Sequence, residues 1–529
     1  MKKIVYKSFI IPVLLSVVFT SCDDWFDLRP QSETILEDYW QDENDVLSAL
    51  SACYRGLNEP AVMERFIVWG EVRSDNVIKG ANGESNTDLN YIMTLGLNEN
   101  NGYTSWNDFY KIINYCNNVI YYAPEVRRKD PTNFTEREMQ SYIAEAKGIR
   151  ALCYFTLVRT FRDIPLIVEP IIDDTKPFEV PQEDPNKLLA FLIQDLKGVE
   201  SHAPLGWENN VKYTKGRITR NAIYSLIADM SLWIQDYQTC VDYCNKILQN
   251  APAEGIEFEN SQVYHYNTFI RGNSKESIFE LQFDAGNIPN YLLFEMYQVA
   301  TGAASGRPNN SMFLLSSYNF SLSQELFKET DIRRTESYFP VVVGTHYPIL
   351  KYMGYRVNYS SVVPRPSDYY FDPSNNRNWI FYRLSDMYLM KAEALVELGG
   401  DANQNEALEM VKRTFLRSNP DLEEADSYFN SFDQSQYRDL VFDERQREFL
   451  FEGKRYYDII RRAEREGNAD NVVSRYLTRK YIEFDLNTIM SKTGFINALY
   501  MPINKHESDL NRALVQNPFY DVSSNIGKK

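Results

Sequence analysis

Histidine and cysteine are scarce in this chain, four and six among 529 residues, and their scarcity removes whole classes of chemistry. His202, His265, His346 and His506 are scattered, with no His-Glu-x-x-His or other metal-ligand spacing. No glycine-rich phosphate loop and no nucleophile elbow occurs. Cleaving a glycan needs two carboxylates roughly 5–10 Å apart, and no motif nominates such a pair among the 73 acidic residues. No resident cofactor is expected. A structural calcium ion is compatible with a chain rich in Asp and Asn, but no motif indicates one.

Long apolar runs are missing after the first 21 residues, so no transmembrane helix is expected beyond them; such a helix needs about 20 apolar residues. The first 21 are different in kind. Lys2, Lys3 and Lys7 precede a mostly apolar run from Phe9 to Phe19, and Thr20, Ser21 and Cys22 close it. That order is a secretory signal. Phe19-Thr20-Ser21-Cys22 resembles the bacterial lipobox, whose cysteine is acylated and becomes the new N-terminus, with Phe19 in place of the usual leucine. Each buried CH2 of an acyl chain contributes about 0.8 kcal/mol, so two or three chains hold firmly. Asp23 and Asp24 look like the acidic surface-export signal of Bacteroidetes lipoproteins. The expectation is a protein tethered to the outer membrane through Cys22 and facing outward.

Positive charge is also in deficit. Without residues 1–21 the chain has 53 basic against 73 acidic residues, a net −20. A field of that sign repels nucleic-acid phosphates and anionic lipid. Nucleic acid is therefore excluded as a partner, and attachment to the bilayer falls to the acyl anchor. With Cys22 acylated, five cysteines remain: Cys53, Cys116, Cys153, Cys240 and Cys244. Each sits in an apolar helical pattern and reads as a small buried hydrophobe.

What the chain has in plenty is aromatic rings, 37 tyrosines, 30 phenylalanines and 7 tryptophans, and helical periodicity. In Tyr382–Leu398 the apolar set includes Leu384, Met387, Tyr388, Leu395 and Leu398, with Lys391, Glu393 and Glu397 turned away. Gly399-Gly400 ends that helix, and a second amphipathic run begins at Asn405–Leu416. Helix, short turn and helix resemble one tetratricopeptide hairpin. Similar pairs occur at Trp106–Tyr122 with Glu136–Phe161 and at Arg220–Trp233 with Tyr237–Leu248. Ala228, Cys240, Ala394 and Ala407 stand where paired helices need close approach. The expected fold is mainly α, a tetratricopeptide-like scaffold of about four hairpins with irregular loop-rich insertions and a few short strands such as Ile278–Phe283. Glu444, Glu448 and Glu452 fall on one helical face among Arg445, Arg447 and Arg455, and read as a structural ion-pair network.

Several stretches resemble the SusD/RagB family of nutrient-binding lipoproteins: Trp106–Ile120 (WNDFYKIINYCNNVI), Ala144–Pro165 (AEAKGIRALCYFTLVRTFRDIP), Tyr382–Leu398 (YRLSDMYLMKAEALVEL), Asp443–Arg461 (DERQREFLFEGKRYYDIIR) and the closing PIN…QNPFY of Leu499–Tyr520. The resemblance implies a signal over 1–21, an anchored N-terminal region over 22–235 and a C-terminal region over 236–529. It implies partnership with a SusC-like TonB-dependent transporter, and a role in binding and delivery without cleavage. The implied cargo is an oligosaccharide or polysaccharide. Alternatives are a peptide, as on the RagB side of the family, or a surface glycoside hydrolase.

Ligand sites in the family form from irregular segments, here Lys79–Thr104 and Tyr264–Asp372. The candidates of suitable chemistry are Arg73, Asp75 and Asn76 for hydroxyls. Tyr91, Tyr103, Trp106, Tyr266, Tyr291 and Tyr297 are the candidate rings for stacking on a sugar face.

Overall fold

The structure, a computed structural model, describes residues 39–79, 86–172, 179–297, 313–315, 326–338, 347–360, 365–371, 374–420, 422, 425–481 and 483–521. Cys22 with the whole export segment, and the Gly-Arg-Pro-Asn-Asn of 306–310, lie outside the described residues.

The chain is mainly helical, and its long helices pair as the periodicity predicts. The first ones are α1 (Glu43–Leu57), α2 (Asn107–Lys129) and α3 (Glu136–Phe161). Then come α4 (Pro185–Lys197), α5 (Arg220–Trp233) and α6 (Tyr237–Asn250). The last four are α7 (Leu384–Leu398), α8 (Asp401–Ser418), α9 (Tyr437–Phe449) and α10 (Arg455–Glu466). Three antiparallel pairs, α2 with α3, α5 with α6 and α7 with α8, form tetratricopeptide-like hairpins, and α6 packs on α7 to chain two of them together. The fourth pair opens out: α9 lies against α7 and α8, while α10 packs on the short π-helical turn Val68–Val72.

Local chemistry accounts for these elements. Helix α3 opens with a reciprocal capping box between Thr135 and Glu138, and from Ala144 to Val158 almost every side chain is buried. It is thus a central helix covered on all sides. Ala228, Cys240, Ala394 and Ala407 are buried where expected. All five described cysteines are buried and free. Helix α2 runs beyond Tyr122, through Pro124, to Lys129, so the proline costs one backbone hydrogen bond without ending the helix.

One expectation is corrected. Lys391 and Glu393 do not face away from the core: both are buried, Glu393 against Arg461 and Arg465 of α10 at 2.6 and 2.5 Å and Lys391 paired with Glu406 of α8 at 2.5 Å. Leu398, expected in the apolar set, is partly exposed.

Strands are few and short. β1 (Val77–Lys79) pairs antiparallel with β3 (Phe313–Leu315), which pairs with β4 (Tyr347–Pro348). Between β1 and β3 in the chain lies β2 (Ser277–Leu281). β2 is joined through an irregular register to β7 (Trp379–Arg383), which runs straight into α7. β5 (Gly354–Arg356) and β6 (Tyr369–Phe371) make a separate two-stranded ribbon. One continuous hydrophobic cluster extends from Trp40 to Ile503. Contacts across residues 235/236 are therefore as internal as any others.

Two glycines mark the tightest approach. A Cβ on Gly70 would lie 1.9 Å from the Gly453 carbonyl oxygen, and Gly453 itself has φ +71°. The N-terminal turn and the α9–α10 connection can meet backbone to backbone only because both positions lack a side chain.

The buried charge around α9 fixes these elements together. Glu448 accepts from Arg383 at 2.5 Å, Arg417 at 2.6 Å and Arg333 at 2.7 Å. Glu452 accepts from Arg383 and Lys351 at 2.9 and 2.6 Å, and Glu444 from Arg333 and Arg447, both at 2.8 Å. Burial alone would raise these carboxyls, but the facing guanidiniums reverse the effect. Glu448 is held well below the usual carboxylate range and Glu452 near about 2. The glutamate face is a structural network, as the spacing suggests, and it sits inside the scaffold.

Candidate functional site

The sheet β1–β3–β4 joins the strand that leads into the first irregular segment, β1, to two strands of the second. The nine candidate side chains divide by burial. Asp75 is buried and held by Arg455 at 2.9 Å. Asn76 is fully buried, donating to Glu71 at 2.7 Å. Tyr103 is buried, with its hydroxyl donating to Glu64 at 2.5 Å. Trp106 precedes α2 and packs edge-on against Phe161 at 5.1 Å. Tyr297 is buried and donates to the Phe451 carbonyl at 3.3 Å. These five side chains are committed to the interior. Arg73 is also buried, under the Tyr456 ring. Tyr91, Tyr266 and Tyr291 are exposed.

Of the exposed three, Tyr266 stands in a cluster. It opens the π-helical turn Tyr266–Arg271, and its ring meets that of Tyr355 edge-on at 4.7 Å. Tyr355 of β5 is directly opposite Tyr370 of β6 in the antiparallel register, with ring centroids 5.5 Å apart. Cross-strand partners project on the same side of the ribbon, so the three rings share one surface. Tyr266 and Tyr370 are 41% and 51% exposed. Among the described residues no group bonds either of their hydroxyls.

The opposite side of the ribbon anchors it. Tyr369 is buried and donates to the Thr335 carbonyl at 2.8 Å. Arg356 lies over the Tyr359 ring at 4.9 Å, and the Tyr359 hydroxyl donates to Glu336 at 3.1 Å. Glu336 is buried beneath, and loss of water pushes its carboxyl up to about 8. The ribbon, with the π-helical turn beside it, therefore presents three rings on one surface above an anchored base. Such a surface suits a ligand with an apolar C–H face and hydroxyls at its edge, because tyrosine provides a flat ring and a polar tip. Tyr355 and Tyr370 were not among the sequence candidates. Their signal was the pair of short alternating runs Gly-Tyr-Arg-Val and Asp-Tyr-Tyr-Phe, separated by turn residues.

Among the described residues no cluster of His, Cys, Asp and Glu is arranged to hold a metal ion, and no helix is long and apolar enough to cross a membrane.

Two family models match the chain. The SusD family covers residues 348–520, and a SusD-like family described as starch-binding, associating with outer membrane, covers 24–232. A SusD-like protein of Formosa agariphila is 24% identical over 500 residues, spanning 87% of this chain and 92% of its own length. Among solved structures, surface glycan-binding protein A of Bacteroides uniformis superposes with a TM-score of 0.69 at 23% identity, covering 90% of this chain and 99% of that one. A laminarin-binding SusD-like protein gives 0.64 at 21%, covering 90% and 100%. Both models are of one kind, they lie in the order of the sequence motifs, and the helical scaffold agrees with them: this chain belongs to the SusD/RagB family.

Proposed function

We propose that this chain is a surface lipoprotein, held in the outer membrane by acylated Cys22, that binds an oligosaccharide or polysaccharide and passes it to a SusC-like TonB-dependent transporter. The observation that carries the binding role is the shared surface of Tyr266, Tyr355 and Tyr370, two rings on the anchored ribbon and one on the π-helical turn beside it, with two hydroxyls left for a ligand. Support for a sugar cargo comes from the starch-binding description of the N-terminal family and from the names of two structural relatives, one a glycan binder and one a laminarin binder. Support for the anchor comes from the order of residues 1–24 and from the outer-membrane association in the same description. The role is binding without cleavage. The acidic groups of the α9 face are fully engaged by arginine and lysine inside the scaffold, so they are in no position to act across a glycosidic bond.

The test is a glycan panel read by calorimetry, using the chain from Asp23 onward. Binding of a defined polysaccharide with no change in its length is the expected result. Release of shorter sugars by the pure protein would overturn the binding role, and selective binding of peptides would move the cargo to the other class. For the anchor, Cys22→Ser should release the protein from the membrane fraction, and unchanged retention would contradict acylation at that residue.

A further inference from the structure

A cavity separate from the tyrosine ribbon carries charge of the sign this chain otherwise lacks. Its volume is about 430 Å3, within the roughly 300–1,000 Å3 typical of small-molecule sites. Arg73 lines it from the interior, only 6% exposed. The guanidinium lies over the Tyr456 ring at 4.3 Å, with that phenol as its polar neighbour. Among the described residues no carboxylate lies within ion-pair distance of Arg73, and its Nη1 meets no acceptor.

That condition sets Arg73 apart from the arginines of the scaffold. Arg333, Arg383, Arg417, Arg455 and Arg461 are as deeply buried, and each holds a carboxylate. Asp75, two residues from Arg73, is taken by Arg455. Burying a cation without a counter-ion is unfavourable, and Tyr456, a neutral ring and phenol, compensates only in part. Lys492, exposed on the cavity lining, adds a second cation without an ion pair among the described residues. The one carboxylate of the lining is Glu99. The cavity is therefore net cationic in a chain whose overall charge is −17.

We propose that this cavity binds an acidic sugar residue, with its carboxylate or sulfate against Arg73 and Lys492. Arginine's planar fork matches an oxyanion in two parallel hydrogen bonds. Tyr481 and Tyr520 supply aromatic wall for the C–H face of the sugar ring, and Asn98 and Thr493 supply polar groups for its hydroxyls. The site does not depend on what the tyrosine ribbon binds.

Calorimetry on the chain from Asp23 onward, with glucuronic acid, glucose 6-sulfate, glucose and inorganic sulfate, tests this. Both acidic sugars should bind, glucose at least tenfold more weakly, and the acidic sugars less tightly as salt rises. Arg73→Gln should abolish their binding. Lys492→Ala, a change at an exposed side chain that leaves the core untouched, should weaken it severalfold. The double change Tyr355→Ala/Tyr370→Ala should leave it unaltered, so failure of the ribbon and failure of this cavity are read separately. The proposal is overturned if neither acidic sugar binds, if glucose or sulfate alone binds as tightly, or if Lys492→Ala has no effect.

Discussion

The belt of charge around α9 and the tyrosine ribbon β5–β6 use residue types opposite to their burial. Glutamate and arginine, normally solvated, are sealed inside the scaffold. Tyrosine, which could serve as core, is placed outside on the ribbon. In the belt Glu444, Glu448 and Glu452 each have at least two partners, most of them from distant segments, so that α9, α8, β7, Arg333 and Lys351 are fixed to one another. The ribbon is joined below through Tyr369, Tyr359 and Glu336 and leaves its upper rings available. Stability should therefore concentrate in the first region and recognition in the second.

The largest effect that would separate them is Glu448→Gln. It removes the charge shared by Arg333, Arg383 and Arg417, and breaking such a buried pair typically costs about 3–5 kcal/mol. Urea unfolding should show that loss, while the fraction still folded binds glycan with unchanged affinity. A weakened glycan affinity of the folded fraction would erase the division between the two regions.

Acid and base should probe the same division from opposite sides. Glu452, with its carboxyl held near about 2 against an ordinary 4.5, contributes stability that is complete above about pH 4.5. That contribution is lost as pH falls toward 2, and Glu448 shifts in the same direction. Glu336 is opposite. Its folded carboxyl keeps its proton up to about pH 8, whereas the unfolded one ionises near 4.5, so its contribution falls as pH rises between those values. Hydrogen exchange should show the ribbon loosening first toward pH 8 and the belt first toward pH 3. Glu336→Gln should flatten the alkaline slope; an unchanged slope would remove Glu336 as its cause.

Next in size is the double change Tyr355→Ala/Tyr370→Ala. Losing two stacking faces should weaken polysaccharide binding by a factor of about 10–100, or roughly 1.4–2.8 kcal/mol. Unfolding should move by about 1 kcal/mol or less, the worth of one cross-strand ring pair. An equal loss in stability would make the ribbon part of the core.

The two regions also differ in how legible they are in sequence. Helical pairs, their small contact residues and the glutamate face are read from periods of three and four residues, because they depend on local spacing. Lys391 and Glu393 escape that reading for the same reason. Periodicity assigns charge to solvent, and only α10, some 70 residues later, supplies the arginines that bring Glu393 inside. Asp75 is the same case at greater range, its partner Arg455 lying 380 residues away. Beside the ribbon, aromatic texture points to Tyr266. Tyr355 and Tyr370 become neighbours only through a strand register that no local period encodes.

The smallest expected effect concerns what part of a ring the ligand uses. Tyr266 is exposed and its hydroxyl has no partner among the described residues, so Tyr266→Phe leaves the fold and the edge contact with Tyr355 intact. If recognition rests on the C–H face of a sugar lying on the ring, phenylalanine should bind within about twofold of tyrosine, whereas Tyr266→Ala should bind several times more weakly. If the free hydroxyl is instead a hydrogen-bond partner, Tyr266→Phe should cost about 0.5–1.5 kcal/mol, threefold to tenfold in affinity. Calorimetry with one polysaccharide resolves the two cases. A loss on Tyr266→Phe equal to that on Tyr266→Ala would make the ribbon a polar edge rather than a stacking platform.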